Sequence, residues 1–282
     1  MKRNFLNTYN KINSVKELKI GIILLVVLIS VAIFAPLIAT KDPYFLNDDL
    51  AAKPSSEYIF GTDGLGRDVF SMVVYGARTS LKIGIVVSVI SSVIGTLIGG
   101  IAGYIGGKTD KVISEIINMF LMFPTFFLIL IIIAVYGSSL TNIIVVMALT
   151  SWTGTARLMR SQAISLRERT FIKSAKTIGE SDTRILFRHI IPNGIFPIIA
   201  DSTMAVSSAI LSEAGLSFLG LGDPNAISWG KIISHGKIYL PRGWWICTFP
   251  GLAIVCTVLS FYLIGEGMNR ILNPKLNQAK GR

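Results

Sequence analysis

Few side chains in these 282 residues are of the kinds that run covalent chemistry, and their spacing leads away from catalysis. The only histidines are His189 and His235, and no His-Glu-x-x-His run sets two imidazoles on one helix face for zinc. Cys247 and Cys256 lie nine positions apart within a hydrophobic stretch, a spacing that suits neither a disulfide framework nor a metal site. Gly64-x-Gly66 is too short to cradle a nucleotide, and no Gly-rich loop ends in Lys followed by Ser or Thr. The sequence therefore predicts a non-enzyme with no metal and no cofactor of its own. If ATP drives this molecule, another chain binds it.

Three groups of residues still demand a physical account. Asp201 and Glu213 interrupt an otherwise apolar segment, where a carboxylate normally faces protein or an aqueous path. Asp201 is expected near the inner mouth, in water or paired with a nearby arginine. Glu213 is expected about 18 Å further along the same helix, either structurally paired or touching a passing polar solute. The third group is the basic segment from Arg157 to Arg188, with eight Lys and Arg against Glu168, Glu180 and Asp182. Only Phe171 and Phe187 interleave its charges, which does not suit nucleic acid.

The elements that position these groups follow from composition. Hydrophobic residues make up 51% of the chain and charged ones 15%, and uncharged stretches run over 20–40, 83–107, 116–156 and 243–265. Each is long enough to cross about 30 Å of hydrocarbon as helix, and the 41-residue third stretch can cross twice. Unbroken apolar runs select helices over a barrel. The expected spans are 20–40, 81–105, 113–135, 140–156, 198–221 and 246–265, the fourth entered through the turn Tyr136-Gly137-Ser138-Ser139. With the N-terminus inside, the inner segments carry 19 of the 27 Lys and Arg, and the net charge of +11 divides as about +10 inside and +1 outside.

Within the spans, Gly95, Gly99, Gly103 and Gly107 recur every four residues, a smooth face for internal packing, for a partner chain or for a movable seam. Pro124, behind Met122-Phe123, predicts either ordinary packing or a kinked, path-lining element. Trp229, Trp244 and Trp245 are expected at headgroup depth on the outer side, and Trp152 near the inner end of the fourth span. Before the second span, Asp63, Arg67 and Asp68 are expected to form local ion pairs or to meet an external protein.

The basic segment is expected to fold as two short amphipathic helices around Gly179, with Phe171, Ala175, Ile178, Ile185, Leu186, His189 and Ile190 on their apolar side, closed by Pro192-Asn193. Such short helices are marginal alone and need a docking partner. The run Thr170-Phe171-Ile172-Lys173-Ser174-Ala175-Lys176-Thr177-Ile178-Gly179, followed by Ile185 and His189-Ile190-Ile191-Pro192-Asn193, resembles the "EAA" coupling loop of the membrane subunits of ATP-binding-cassette importers. Gly61 to Ser71, Gly76 to Leu81, Gly215 to Gly222, Ser228-Trp229-Gly230, Phe249 to Ile254 and Asn273-Pro274-Lys275-Leu276 resemble, in order, the C-type permeases for dipeptides, oligopeptides and nickel. Ser174, and the stretch from Asp223 to Ile227, depart from the usual pattern.

That resemblance implies an all-α integral-membrane fold of six transmembrane helices, the type I ATP-binding-cassette importer permease, in the prokaryotic cytoplasmic membrane with both termini cytoplasmic. It implies a cytoplasmic segment 1–19, a first helix and external loop over 20–80, a permease core over 81–268 with a coupling loop over 157–197, and a tail over 269–282. It implies a coupling role for Phe171, Ser174, Ala175, Gly179, Ile185, His189, Pro192 and Asn193. Met122, Phe123 and Glu213 become candidates for the path, and Asp63, Arg67, Asp68 and Trp229 for contact with the external protein. The partners implied are a homologous B-type permease, two ATPase subunits carrying ATP and Mg, and an extracytoplasmic solute-binding protein, with peptide as cargo. A nickel or chelate cargo, a sugar, and an ATPase-independent secondary transporter are the alternatives.

Overall fold

A computed structural model describes residues 15–272, all helix and turn apart from one isolated bridge between Thr62 and Asp68. The tail motif at 273–276 and most of the two terminal segments lie outside the described residues. Helix α1 (Lys16–Ile33) is followed by a short α2 (Ala35–Ile38) and a long loop, then by the 37-residue α3 (Val69–Ile105). Next come α4 (Gly107–Met122), α5 (Thr125–Tyr136) and α6 (Leu140–Arg167). The basic segment holds α7 (Thr170–Thr177) and α8 (Asp182–Ile185), which runs through a π-helical turn (Leu186–Ile190) into α9 (Ile191–Phe218). A short helix, α10 (Trp229–Gly236), leads to α11 (Trp244–Leu272).

Local chemistry sets these boundaries. The Asp68 carboxylate accepts from the Ser71 amide at 2.9 Å and caps α3, which therefore starts twelve residues before the expected 81. Ser139 caps α6 through the Asn142 amide, and Ser228 caps α10 through the Lys231 amide. The expected third span, 113–135, is instead two helices bent by 79°. Phe123 precedes Pro124, whose ring forces it out of the helical region, and its backbone is extended at φ −97° and ψ 132°.

Six crossings were expected; among the described residues, length and apolar composition single out three helices, α3, the continuous rod from Asp182 to Phe218, and α11, or four if the bent α4–α5 pair is one span. Helix α1 is 18 residues, about 27 Å long, and begins with Lys16, Glu17 and Lys19. Helix α6 carries a dense polar content from Thr150 to Arg157 and runs eleven residues past its expected inner end at 156.

The core is built around α3. Val69, Met72 and Leu81 pack with Val206 and Ile210 of α9, Trp229 and Ile232 of α10, and Trp245 and Phe261 of α11. Along its second half α3 lies against α6 at backbone contact. A Cβ on Gly99 would stand 2.1 Å from the Ala156 carbonyl oxygen, and one on Gly103 2.4 Å from that of Arg160. Gly95, Gly99 and Gly103 are thus used for packing within the chain, whereas Gly107, expected on the same face, lies past the end of α3 with nothing within 4 Å of where its Cβ would be. Trp229 and Trp245, expected at headgroup depth, are only 1% exposed, because their indole N–H groups donate to Val73 and Thr62 carbonyls inside the fold. Trp152 is also buried, and Trp244 alone of the four is open.

Candidate functional site: the basic inner segment

Helix α7 ends because Gly179 takes φ +88°, a conformation that glycine adopts without penalty. The Glu180 amide then bonds back to the Ala175 carbonyl at 3.1 Å and the Gly179 amide to that of Lys176 at 3.0 Å, a reciprocal pair that closes the helix and turns the chain sharply. Beyond it Ser181 leads into α8. Pro192 and Asn193, expected from sequence to close the segment, lie instead in the first turn of α9, where the Asn193 side-chain Nδ2 donates to the His189 carbonyl at 2.7 Å. Pro192 has no N–H for the carbonyl four residues back, and the helix immediately before it widens into the π turn.

The segment has a locked face and an open one. Ile172, Ile185, Leu186 and Ile190 are buried together with Tyr104, Met159, Ala163 and Ile198, and Ala175 packs against them. Three further ties hold it. Tyr104 Oη donates to Asp182 Oδ1 at 2.6 Å, Lys176 Nζ lies 4.9 Å above the Tyr104 ring, and Arg167 donates to the Gly103 carbonyl at 3.1 Å. Glu180 accepts from His189 at 2.9 Å and Arg184 at 3.1 Å. Behind α6, Arg160 grips both oxygens of Asp110, and this guanidinium holds the Asp110 carboxyl below its ordinary range.

The apolar face expected from Phe171, Ala175 and Ile178 is rotated by one residue in α7. Ile172 and Ala175 point inward, while Phe171 and Ile178 point away from the bundle. Ile178 is 86% exposed, Phe187 is exposed as well, and nothing lies within 4 Å of where a Cβ on Gly179 would be. Ser174, Pro192 and Asn193 are exposed and His189 half-buried. Two phenyl rings and an isoleucine are thus left uncovered within a strongly basic segment.

The residues expected on the outer side behave differently. Asp63 accepts from the Leu65 and Arg67 amides and pairs with the Arg67 side chain at 2.6 Å; Arg67 in turn touches His235 at 3.2 Å. Asp68 is a helix cap that also takes Ser71 and Thr40 hydroxyls, not an ion pair. Asp63, Asp68 and Trp229 are buried, the two carboxylates bracing the turn that precedes α3 and Trp229 packing into the core against α3. Glu213, 3% exposed, takes the Ser217 and Ser228 hydroxyls at 2.7 Å each and ties α9 to α10 rather than facing an open path. Met122 and Phe123 are exposed at the α4–α5 break, beside an apolar cleft of about 480 Å³ lined by Phe120, Phe123, Leu128 and Leu149. Sequence reasoning had no means of finding the Tyr104–Asp182 tie, whose partners are 78 positions apart. The Glu213 serines had one available signal, since Ser217 follows at i+4.

The model of the family described as binding-protein-dependent transport system inner membrane component matches residues 95–278. The dipeptide transport system permease protein DppC of Alkalihalophilus pseudofirmus is 39% identical over 259 residues, covering 91% of this chain and 85% of that protein. The glutathione transport system permease protein GsiD of Shigella flexneri serotype 5b is 43% identical over 254 residues, covering 89% and 84%. Among solved structures, a chain of the MetNI methionine ABC transporter in inward-facing conformations superposes with a TM-score of 0.55 at 22% identity, covering 72% of this chain and 95% of that one, a likeness of fold.

Proposed function

The chain belongs to the family of inner membrane components of binding-protein-dependent transport systems, and from that premise we propose that it forms half of the path of an ATP-driven importer of di- or oligopeptides. The observation that carries the reading is the two-faced inner segment. One face is locked into the bundle by Ile172, Ile185 and the Tyr104–Asp182 bond, and the other offers Phe171, Ile178 and Phe187 to a partner. A segment clamped in this way moves with α9, to which α8 is joined without a break. Closure of an ATPase around the apolar tip therefore reaches the membrane as a displacement of α9. ATP shifts the path only as far as it favours the closed ATPase state.

In this reading α1 and α6 also cross, giving six spans with both termini cytoplasmic, which the excess of inner Lys and Arg supports. The coupling segment is 157–197, with Phe171, Ser174, Ala175, Gly179, Ile185, His189, Pro192 and Asn193 shaping or presenting the docking surface. A homologous second permease completes the path against the α4–α5 break, with Met122 and Phe123 toward it. Two ATPase subunits carry ATP and Mg, and an external solute-binding protein delivers the cargo. The two relatives above are named for dipeptides and for glutathione, itself a short peptide, which supports peptide as the cargo class.

The test is reconstitution in vesicles with the second permease, the ATPases and the binding protein. ATP-dependent uptake of a radiolabelled dipeptide by the full set, and none by this chain alone, is the expected result. Uptake by this chain without the ATPases disproves it.

A further inference from the structure

Asp201 lies in the middle of α9, about 28 Å along the helix from Asp182, and its surroundings are unlike those of every other buried or half-buried acid described above. Asp63 has Arg67, Asp110 has Arg160, Asp68 is a cap, and Glu213 has two hydroxyls. Asp201 has one side-chain hydrogen bond among the described residues, from the Thr155 hydroxyl of α6, which donates to Oδ2 at 3.3 Å. No cation pairs with it among the described residues. Of the arginines that follow Thr155 on α6, Arg160 pairs with Asp110 and Arg157 donates to the Asn118 side chain at 3.1 Å. The other oxygen, Oδ1, has no donor, and it is not sealed off. The single enclosed side-chain oxygen without a partner among the described residues is Asp68 Oδ1.

The carboxylate borders an open strip. On α9 the half-exposed or exposed residues Pro197, Met204 and Ser208 share its side at helical spacing. On α6 the neighbours of Thr155 toward the surface are Ser151 and Gly154, and Gly154 has empty space where a side chain would be. At membrane depth, a carboxyl group that stays ionised with no internal cation requires water or an external cation beside it.

We propose that Asp201 faces the aqueous path and sets its charge selectivity, receiving the ammonium groups of passing peptides and opposing their carboxylates. The inference rests on the importer reading above and adds to it a residue and a preference. Thr155 orients the carboxylate by holding Oδ2, leaving Oδ1 for the solute. Because α9 is continuous with the basic inner segment, the same displacement that opens the path carries Asp201 with it.

The test uses the complete complex in vesicles with its binding protein, comparing maximal uptake of Ala-Lys with that of Ala-Glu after binding-protein affinity for each has been measured separately. In the wild type Ala-Lys is favoured. Asp201→Asn reduces that ratio by about fivefold, the factor that one charge contact at about 4 Å is worth in water, and Asp201→Glu restores it, with assembly and ATP hydrolysis unchanged. A second arm places Asp201→Cys in a Cys247→Ser, Cys256→Ser background and treats the complex with a cationic, membrane-impermeant thiol reagent; labelling is expected, and Ala-Lys transport conditions slow it. An unchanged ratio in Asp201→Asn, failure of the cysteine to label, or loss of the second permease from Asp201→Asn overturns the proposal, the last by making Asp201 an interface residue. If the wild-type complex imports neither peptide, the peptide reading fails, and the labelling arm alone decides whether Asp201 faces water.

Discussion

Substitutions at Gly179 separate a backbone effect from a steric one, because nothing in the chain lies within 4 Å of the missing side chain. Any cost within this subunit must come from φ +88°, which disfavours an L-residue by about 1–2 kcal/mol. The turn cannot relax without losing the 3.1 Å Glu180–Ala175 bond and the 3.0 Å Gly179–Lys176 bond. A strain of that size lowers the population of the correctly turned segment by a factor of about 5–30. Asn, which visits the left-handed region most readily after glycine, costs least, Ala more, and β-branched Val most. Coupling should therefore fall in the order Gly, Asn, Ala, Val. The assay is ATP-driven peptide uptake in vesicles, measured beside copurification of the ATPase and the binding-protein affinity. Insertion and affinity should be unaffected. Wild-type assembly and uptake by Gly179→Val would refute the argument, and an Asn variant worse than Val would show that bulk at the docking surface, not φ, is what matters.

Tyr104→Phe removes the hydroxyl that holds Asp182 and costs about 1.5–3 kcal/mol, the range for a hydrogen bond to a charged group; ATP hydrolysis should continue while uptake per ATP falls, as simultaneous assays of both will show. Glu213→Leu strands the Ser217 and Ser228 hydroxyls inside the α9–α10 junction at a cost of about 1–3 kcal/mol, which should appear as a lower melting temperature in detergent at pH 7. Burial, and then the nearby Arg67 and Lys231 charges, hold His235 below its ordinary 6.5, with Asp63 opposing. The folded state thus binds fewer protons there, so its stabilisation is complete above about pH 6.5 and is lost as pH falls through the lower folded value. Thermal stability scanned from pH 8 to 5 should show this loss in the wild type and less of it in His235→Asn.

The sequence made the membrane class legible because a bilayer punishes uncompensated polarity, so the apolar stretches could hardly mean anything else. The inner segment was legible for a related reason, since Gly179 and the flanking periodicity are local signals. Local signals failed where a neighbour decided the outcome. The sequence reading put Phe171 and Ile178 on the apolar side of α7, but Ile172 took the inward place because it packs in one cluster with Met159, Ala163 and Tyr104. Trp229 and Trp245 looked interfacial until carbonyls far along the chain accepted their N–H groups. The break at Phe123-Pro124 was foreseeable as a kink, but its 79° angle depends on how α5 packs against α6. Asp63 and Arg67 paired as their i, i+4 spacing suggests, whereas Asp68 went to the helix end it precedes.

The claim that the inner segment is the handle of an ATPase is tested most directly by a photo-crosslinking residue at position 178, the most exposed apolar site of that segment, in the assembled complex. Crosslinking to the ATPase subunit is expected from position 178, changing in yield between nucleotide-free and ATP-bound states, and is expected to be absent from position 255 of α11, which is also apolar and exposed. An assembled complex that hydrolyses ATP and imports peptide, yet gives no ATPase crosslink from position 178, would contradict the account.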